Sequence, residues 1–426
     1  MREFDDGPVA PQTVSTGRSL GFVYVGYAFR YLQLIVLVPY YGRVLGASEY
    51  GHVLAAMSLY QVVWMLSEFG FPPVGARDAA STTDVGKLSQ IYGRHVVGRA
   101  TTMLVGVAVG LLATRLSPVL RERPIFGVLA TLSGIVAAFN LGWFYQGMLR
   151  FRTSVMLEVL GFVLNLPLVL LFVRGPHDGA GVLLALLISG TICTIAAHAI
   201  AVRGLRFRDM DWSGGFELIR GSTALFAHRG LVALLASSST YLISLFASAT
   251  EVGYYGAAER LVSAALSLLN PANQVLVGTV ARHIGSRDNE DRAYALMRAG
   301  FISLSLLGTS MLVGTLLLAN ILVPLILGEA FVDSIPILRV LALMFPFAIM
   351  DQVITGYVMI PLRLDRVVIK VSFQAAVATI ALMAMFGYGY GGLGVAWART
   401  LGSLLMALSL LHALQSRQIL KRIFGS

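Results

Sequence analysis

Five arginines lie inside segments apolar enough to cross a bilayer: Arg30, Arg99, Arg229, Arg260 and Arg399. A charge at the centre of a membrane helix costs roughly 2.5–3.5 kcal/mol on insertion scales, so each needs a reason. A guanidinium stays ionised and grips a phosphate or carboxylate with two parallel hydrogen bonds. Grouped around an internal cavity, such residues would hold an anionic head group. Paired with buried acids, or with their heads stretched to an interface, they would be structural. Both readings stay open for every one of them. Arg30 lies about ten residues into its segment, about 15 Å along a helix and therefore near mid-bilayer. Arg99 has His95 one turn before it, and Arg260 follows Glu259 and stands near Glu251, either of which could neutralise it. The acids within or at the ends of apolar segments are Glu68, Glu158, Glu259 and Asp351. Arginine outnumbers lysine 29 to 3 across the chain, so position rather than residue type carries the argument.

The elements that must position these charges are membrane helices. The 426 residues are 57% hydrophobic and 13% charged, with mean hydropathy +0.76. A soluble domain holds about 45–50% apolar and about 25% charged residues. Stretches of about 20 apolar residues, the length that spans a bilayer, predict about twelve helices. They run over residues 20–42, 50–70, 91–114, 124–147, 154–173, 180–201, 223–247, 252–281, 294–328, 336–361, 367–387 and 391–414. The ninth is too long for one straight crossing and must tilt or protrude. With the N-terminus inside, 21 of the 32 Lys and Arg fall in cytoplasmic segments and 6 on the other side, so both termini are expected in the cytoplasm. The polar first 19 residues followed by a long apolar stretch do not read as a cleaved signal. The single cysteine, Cys193, excludes an internal disulfide and any cysteine-based metal cage. The net charge of +10 sits in short loops, which fits neither disorder nor a nucleic-acid surface.

The chain contains a faint repeat. Ser48-Glu49-Tyr50-Gly51 and Ala55-Ala56 overlay Thr250-Glu251-Val252-Gly253 and Ala257-Ala258 at an offset of 202. Both stretches join the first and second helices of a six-helix half. Six is even, so the halves would enter the membrane in the same sense, a parallel repeat around a central cavity, as in alternating-access transporters. At that offset Arg229 corresponds to Tyr27, three residues before Arg30, so each half would carry one guanidinium on a matching face of its first helix. The organisation expected is a cytoplasmic segment 1–19, an N-lobe 20–201, a linker 202–222, a C-lobe 223–414 and a basic tail 415–426. The linker, with Arg203, Arg206, Arg208, Trp212 and Arg220, reads as amphipathic or interfacial.

Helix-breaking prolines stand at Pro39, Pro167, Pro271 and Pro346, where kinks would allow bending. Trp143 and Tyr145 close the fourth segment and read as interfacial anchors. A nucleotide-binding phosphate loop needs Gly-Lys-Ser/Thr, and the three lysines, Lys87, Lys370 and Lys421, provide none. Nor is there a long outer loop to hold catalytic groups. No catalytic, metal or cofactor site is therefore expected.

Three stretches carry a family resemblance. Pro39-Tyr40-Tyr41-Gly42-Arg43-Val44-Leu45-Gly46, continuing to Tyr50-Gly51, resembles the first loop of Wzx-type polysaccharide flippases. Glu68-Phe69-Gly70-Phe71, followed by Ala76-Arg77-Asp78-Ala79, is similar to the end of their second span. Trp143-Phe144-Tyr145-Gln146-Gly147 resembles the end of their fourth. The resemblance implies the MOP superfamily, which also holds MATE exporters and MurJ lipid II flippases. It implies an all-α polytopic fold of two six-helix lobes around a central cationic cavity. The implied substrate is an undecaprenyl-diphosphate-linked oligosaccharide, crossing the bacterial cytoplasmic (inner) membrane among the membrane lipids. A polysaccharide polymerase or chain-length regulator is the implied partner. On that reading Arg30, Arg229 and Arg399 hold the diphosphate and sugar, with Arg99 and Arg260 as further substrate-binding candidates. Asp351 and Glu158 are candidates for coupling to an ion. A MATE-like exporter of small amphiphiles, or a polytopic glycosyltransferase or polymerase, are the alternatives. The first span holds Arg30 and no acid, which favours an anionic cargo over a cationic drug.

Overall fold

The computed structural model describes the backbone of residues 16–226, 238–269 and 290–424, and their side chains from residue 36 onward apart from 224 and 290–293. Among these residues there is no strand. Two units are distinguished by their internal contacts, residues 1–45 with 55–241, and residues 46–54 with 242–426. Among the described residues, six helices are long and apolar enough to cross a membrane, and up to eight if each bent pair counts as one span. The protein is a multi-pass membrane protein.

Helix α1 (Thr16–Glu68) takes in the first two expected spans and is broken at Gly46, where φ is 69° and ψ 178°. It ends at Phe69 and Gly70, both at positive φ, and α2 (Phe71–Ala80) leaves at an angle of 46°. Pro72 and Pro73 explain the new start, since the first helical turn tolerates their missing N–H groups. α3 (Val85–Leu116) is capped by Asp84, whose carboxylate accepts from the Lys87 N–H at 2.8 Å. α4 (Pro124–Ala138) and the short α5 (Gly142–Gly147) divide the fourth expected span. α6 (Phe151–Phe172) and α7 (Gly179–Arg203) complete this half, and α8 (Gly215–Leu225) follows.

The linker packs on this first unit. Met210 joins a core with Leu88, Tyr92, Trp143, Phe144 and Tyr145. Arg94 Nε donates to Asp211 Oδ2 at 2.6 Å. The Arg206 N–H donates to Ser89 Oγ at 2.9 Å. Phe207, Trp212 and Phe216 stay exposed beside Arg206 and Arg208, the composition of an interfacial segment.

In the second unit α9 (Ala249–Ser267) starts at the Ser248 cap, whose hydroxyl accepts from the Glu251 N–H at 3.3 Å. α10 (Glu290–Ile326) is the long ninth segment. The tenth breaks into α11 (Ile335–Ala342) and α12 (Phe345–Val353), bent by 41° with Pro346 at the restart, and runs on through a π-helical turn at Ile354–Met359. α13 (Asp365–Gln415) holds the last two expected spans as a hairpin, turned at Gly391 with φ 55° and ψ −135°. Its arms meet so closely that a Cβ at Gly402 would overlap Thr379. A short α14 (Ile419–Phe424) buries Ile423 against Met297, Val358 and Leu410.

The repeat has a physical counterpart inside the second unit. A Cβ at Gly51 would overlap the Ala249 carbonyl, and a Cβ at Gly253 would overlap the Ala47 carbonyl. Positions 47 and 51 correspond to 249 and 253 at the offset of 202. Each copy therefore presses its glycine on the other copy's alanine, the reciprocal pattern of a two-fold contact. Small residues let two helix backbones approach this closely in a membrane.

Candidate functional site

The first unit contains a buried cationic node. At its centre is Arg99, 2% exposed. The guanidinium carbon lies 5.1 Å from the Trp143 ring centre and 5.8 Å from that of Phe71. His95 stacks on Trp143 with ring centres 4.2 Å apart and meets Phe71 edge-on at 5.9 Å. Its Nδ1 is 3.4 Å from an Arg99 terminal nitrogen. Glu68 is the acid that interacts electrostatically with Arg99. It closes no ion pair with it among the described residues. Arg99 Nε and Nη2, His95 Nε2 and Trp143 Nε1 are buried with no protein hydrogen-bond partner. The charge rests on the negative faces of two rings, an interaction worth about 2 kcal/mol when desolvated.

Three sequence features converge here. The Phe69–Gly70 break aims Phe71 inward, α3 supplies His95 and Arg99 one turn apart, and α5 supplies Trp143. Gly75 on α2 is required because a side chain there would run into the Trp143 and His95 rings. Trp143 and Tyr145 are not interfacial anchors. Both are buried, and the Tyr145 hydroxyl donates to the Ala197 carbonyl at 2.6 Å. An aromatic run at a helix end looks the same in sequence whether it faces lipid or a neighbouring helix, which is why the anchor reading fails.

Arg399 lies in the second unit, half-buried, with its guanidinium donating to Glu259 Oε1 at 2.8 Å. Glu259, one of two acids that could neutralise Arg260, reaches across to α13. Arg260 is half-buried beside Tyr50. Asp351 on α12 is half-buried and accepts from Thr355 Oγ1 at 3.1 Å. Glu158 lines a polar cavity of about 310 Å³ with Asn140, Gln146, Ser154 and Cys193. Arg30 is on α1, in the part whose side chains are not described, and Arg229 lies outside the described residues. The structure thus brings Arg99 together with aromatic rings and Arg399 together with an acid. Sequence reasoning missed Phe71 as the second face of the Arg99 sandwich. Its signal was the Gly70-Phe71-Pro72 break, which points the residue into the lobe.

Residues 17–283 match the family model described as "Polysaccharide biosynthesis protein", and the chain belongs to that family. Two curated relatives are named as O-antigen transporters. The Escherichia coli K12 protein is 22% identical over 77% of this chain and 80% of its own length. The Shigella dysenteriae protein is 19% identical over 93% of this chain and 100% of its own. Among solved structures, the lipid II flippase MurJ in an inward closed conformation aligns with a TM-score of 0.65 at 13% identity, covering 96% of this chain and 90% of MurJ. An inward-facing MATE multidrug transporter of the MOP superfamily aligns with a TM-score of 0.55 at 15% identity, covering 92% and 99%. The fold is that of these transporters, and the resemblance to polysaccharide flippases holds at the level of family and fold.

Proposed function

We propose that this chain is a flippase that carries a polyprenyl-diphosphate-linked oligosaccharide from the cytoplasmic to the outer leaflet during cell-surface polysaccharide synthesis. The observation that carries the reading is the match of residues 17–283 to a polysaccharide biosynthesis family. The O-antigen transporter relatives and a fold shared with a lipid II flippase support it. So does the placement of cations: five arginines within apolar segments suit an anionic cargo and would repel a cationic drug.

In the mechanism, two six-helix lobes, 20–201 and 223–414, rock about a central cavity in the inner membrane, with both termini cytoplasmic. Arg30 and Arg229 hold the diphosphate through bidentate hydrogen bonds. Arg399 takes part by exchanging its Glu259 partner for a phosphate oxygen, and Arg260 adds positive field from the same unit. Arg99, enclosed by rings, works from inside its lobe as a pin. Asp351 and Glu158 are the groups assigned to ion coupling. The protein itself forms and breaks no covalent bond, and the exported lipid passes to a polymerase or chain-length regulator.

The test is sugar accessibility in proteoliposomes. A fluorescent polyprenyl-diphosphate oligosaccharide is placed in both leaflets and quenched from outside with a non-permeant reagent. Quenching that runs to completion only with the protein supports the reading. Quenching that stalls at the outer-leaflet fraction, with and without an imposed proton or sodium gradient, rejects it.

A further inference from the structure

A second cationic site lies in the second unit, in a groove that neither Arg260 nor Arg399 lines. The open ends of the α13 hairpin and the turn that follows enclose a groove of about 710 Å³. Arg366 and Lys370 line it from the first arm, and His412 and Arg417 from the end of the second. All four are exposed, and no hydrogen bond or ion pair engages their side chains among the described residues. Three permanent positive charges share one cleft, and no acid among the described residues pairs with them.

The arms continue this groove in a specific way. Arg366, Lys370, Phe373 and Val377 are spaced 4, 3 and 4 residues apart, one face of the first arm. Leu401, Leu405, Leu408 and His412 follow the same spacing on the second. Phe373, Val377, Leu401, Leu405 and Leu408 are all exposed. The first arm thus carries a stripe that is cationic at its end and apolar toward the hairpin turn, and the second an apolar stripe that ends at His412, with Arg417 in the turn beyond it. Exposed apolar stripes on membrane helices face acyl chains. A ligand that fits must have an anionic head and apolar tails, with the head at the membrane edge.

We propose that the α13 groove binds an anionic glycerophospholipid, its phosphate held by Arg366, Lys370 and Arg417 and its acyl chains lying on the Phe373–Val377 and Leu401–Leu408 stripes. Basic residues at the membrane edge attract anionic lipid head groups, and each adds to the preference. A diphosphatidylglycerol, with two phosphates, matches three cations best. Because the groove is built from α13 and the turn after it, the inference stands whether or not the chain is a flippase.

The full chain, purified in a mild detergent, is titrated with diphosphatidylglycerol or phosphatidylcholine and its lipid adducts are counted by native mass spectrometry. Diphosphatidylglycerol should be retained preferentially. An Arg366→Gln, Lys370→Gln, Arg417→Gln variant should lose that preference by at least about tenfold. Ser416→Trp, which fills the groove and keeps every charge, should lose it too. Inorganic phosphate at equal concentration should not displace the lipid. Equal retention of the two lipids, or unchanged preference in both variants, overturns the proposal. Displacement of diphosphatidylglycerol by a polyprenyl diphosphate, one for one, also overturns it and makes the groove a cargo site.

Discussion

Arg99 shows what a buried charge in a lipid-embedded lobe requires. Its cation is balanced by ring faces and by the field of Glu68 rather than by a closed ion pair. A planar guanidinium fits between two rings and a lysine ammonium does not. Arg99→Lys should therefore lower the melting temperature in detergent even though the charge is kept. Arg99→Ala, which also opens a cavity, should cost on the order of 3 kcal/mol. A stable, fully active Arg99→Lys would show that the ring sandwich carries little. The Arg399–Glu259 pair makes a different demand. Removing either partner leaves a half-buried charge, so the double Gln variant should destabilise by less than the sum of the two single variants. A thermal double-mutant cycle should give a coupling of roughly 0.5–3 kcal/mol, and strict additivity would contradict the pairing. At the linker, Arg94 and then Ser213 hold the Asp211 carboxyl far below the usual carboxylate range. A depressed folded-state value stabilises above the unfolded pKa and is lost as pH falls through the folded one. The linker should stay docked at neutral pH and loosen only in strong acid. Asp211→Asn should remove that acid-dependent step in linker proteolysis, at a cost of only about 0.2–1 kcal/mol for so accessible a pair.

At the scale of elements, glycine decides where helices can meet and turn. Gly51 and Gly253 each lie on the other repeat's alanine carbonyl. Gly51→Ala and Gly253→Ala should destabilise by similar amounts, about 1–3 kcal/mol from overpacking. A large effect at one position and none at the other would break the reciprocity. Gly391 turns the α13 hairpin at φ 55°, and a Cβ there would lie 2.9 Å from a Glu251 carboxylate oxygen. Gly391→Ala should be worse tolerated than Gly389→Ala, where nothing lies near. Much of this scale was legible in the sequence. Hydropathy located α6 and α7 within three residues and α3 within six, and the Glu-x-Gly repeat marked the two stretches whose glycines meet. The rest was not legible, because hydropathy gives length and not facing. It could not show that Trp143 turns inward onto His95. Nor could it show that Glu259 meets Arg399, since that depends on how α9 and α13 pack. The basic residues of the α13 groove were counted as loop charge. That they form a cleft follows only when the hairpin brings residues 366 and 417 side by side.

The whole molecule joins a family membership to a charge pattern. The chain belongs to the polysaccharide biosynthesis family and has the fold of MurJ and MATE transporters. Within that fold, a transporter for cations needs exposed acids along its path and a transporter for lipid diphosphates needs cations. Of the seven charges singled out as candidates, five are arginines. The proposal that the cargo is anionic therefore rests on sign, and sign can be tested apart from transport itself. The direct measurement compares two substrates in the same proteoliposomes, one saccharide on a polyprenyl diphosphate and the same saccharide on an uncharged polyprenyl carrier. Flipping should be rapid for the diphosphate, should leave the uncharged lipid at the protein-free rate, and should fall sharply in an Arg30→Gln, Arg229→Gln variant that remains folded. Equal rates for both lipids, or full activity in that double variant, would contradict the cationic-cavity account.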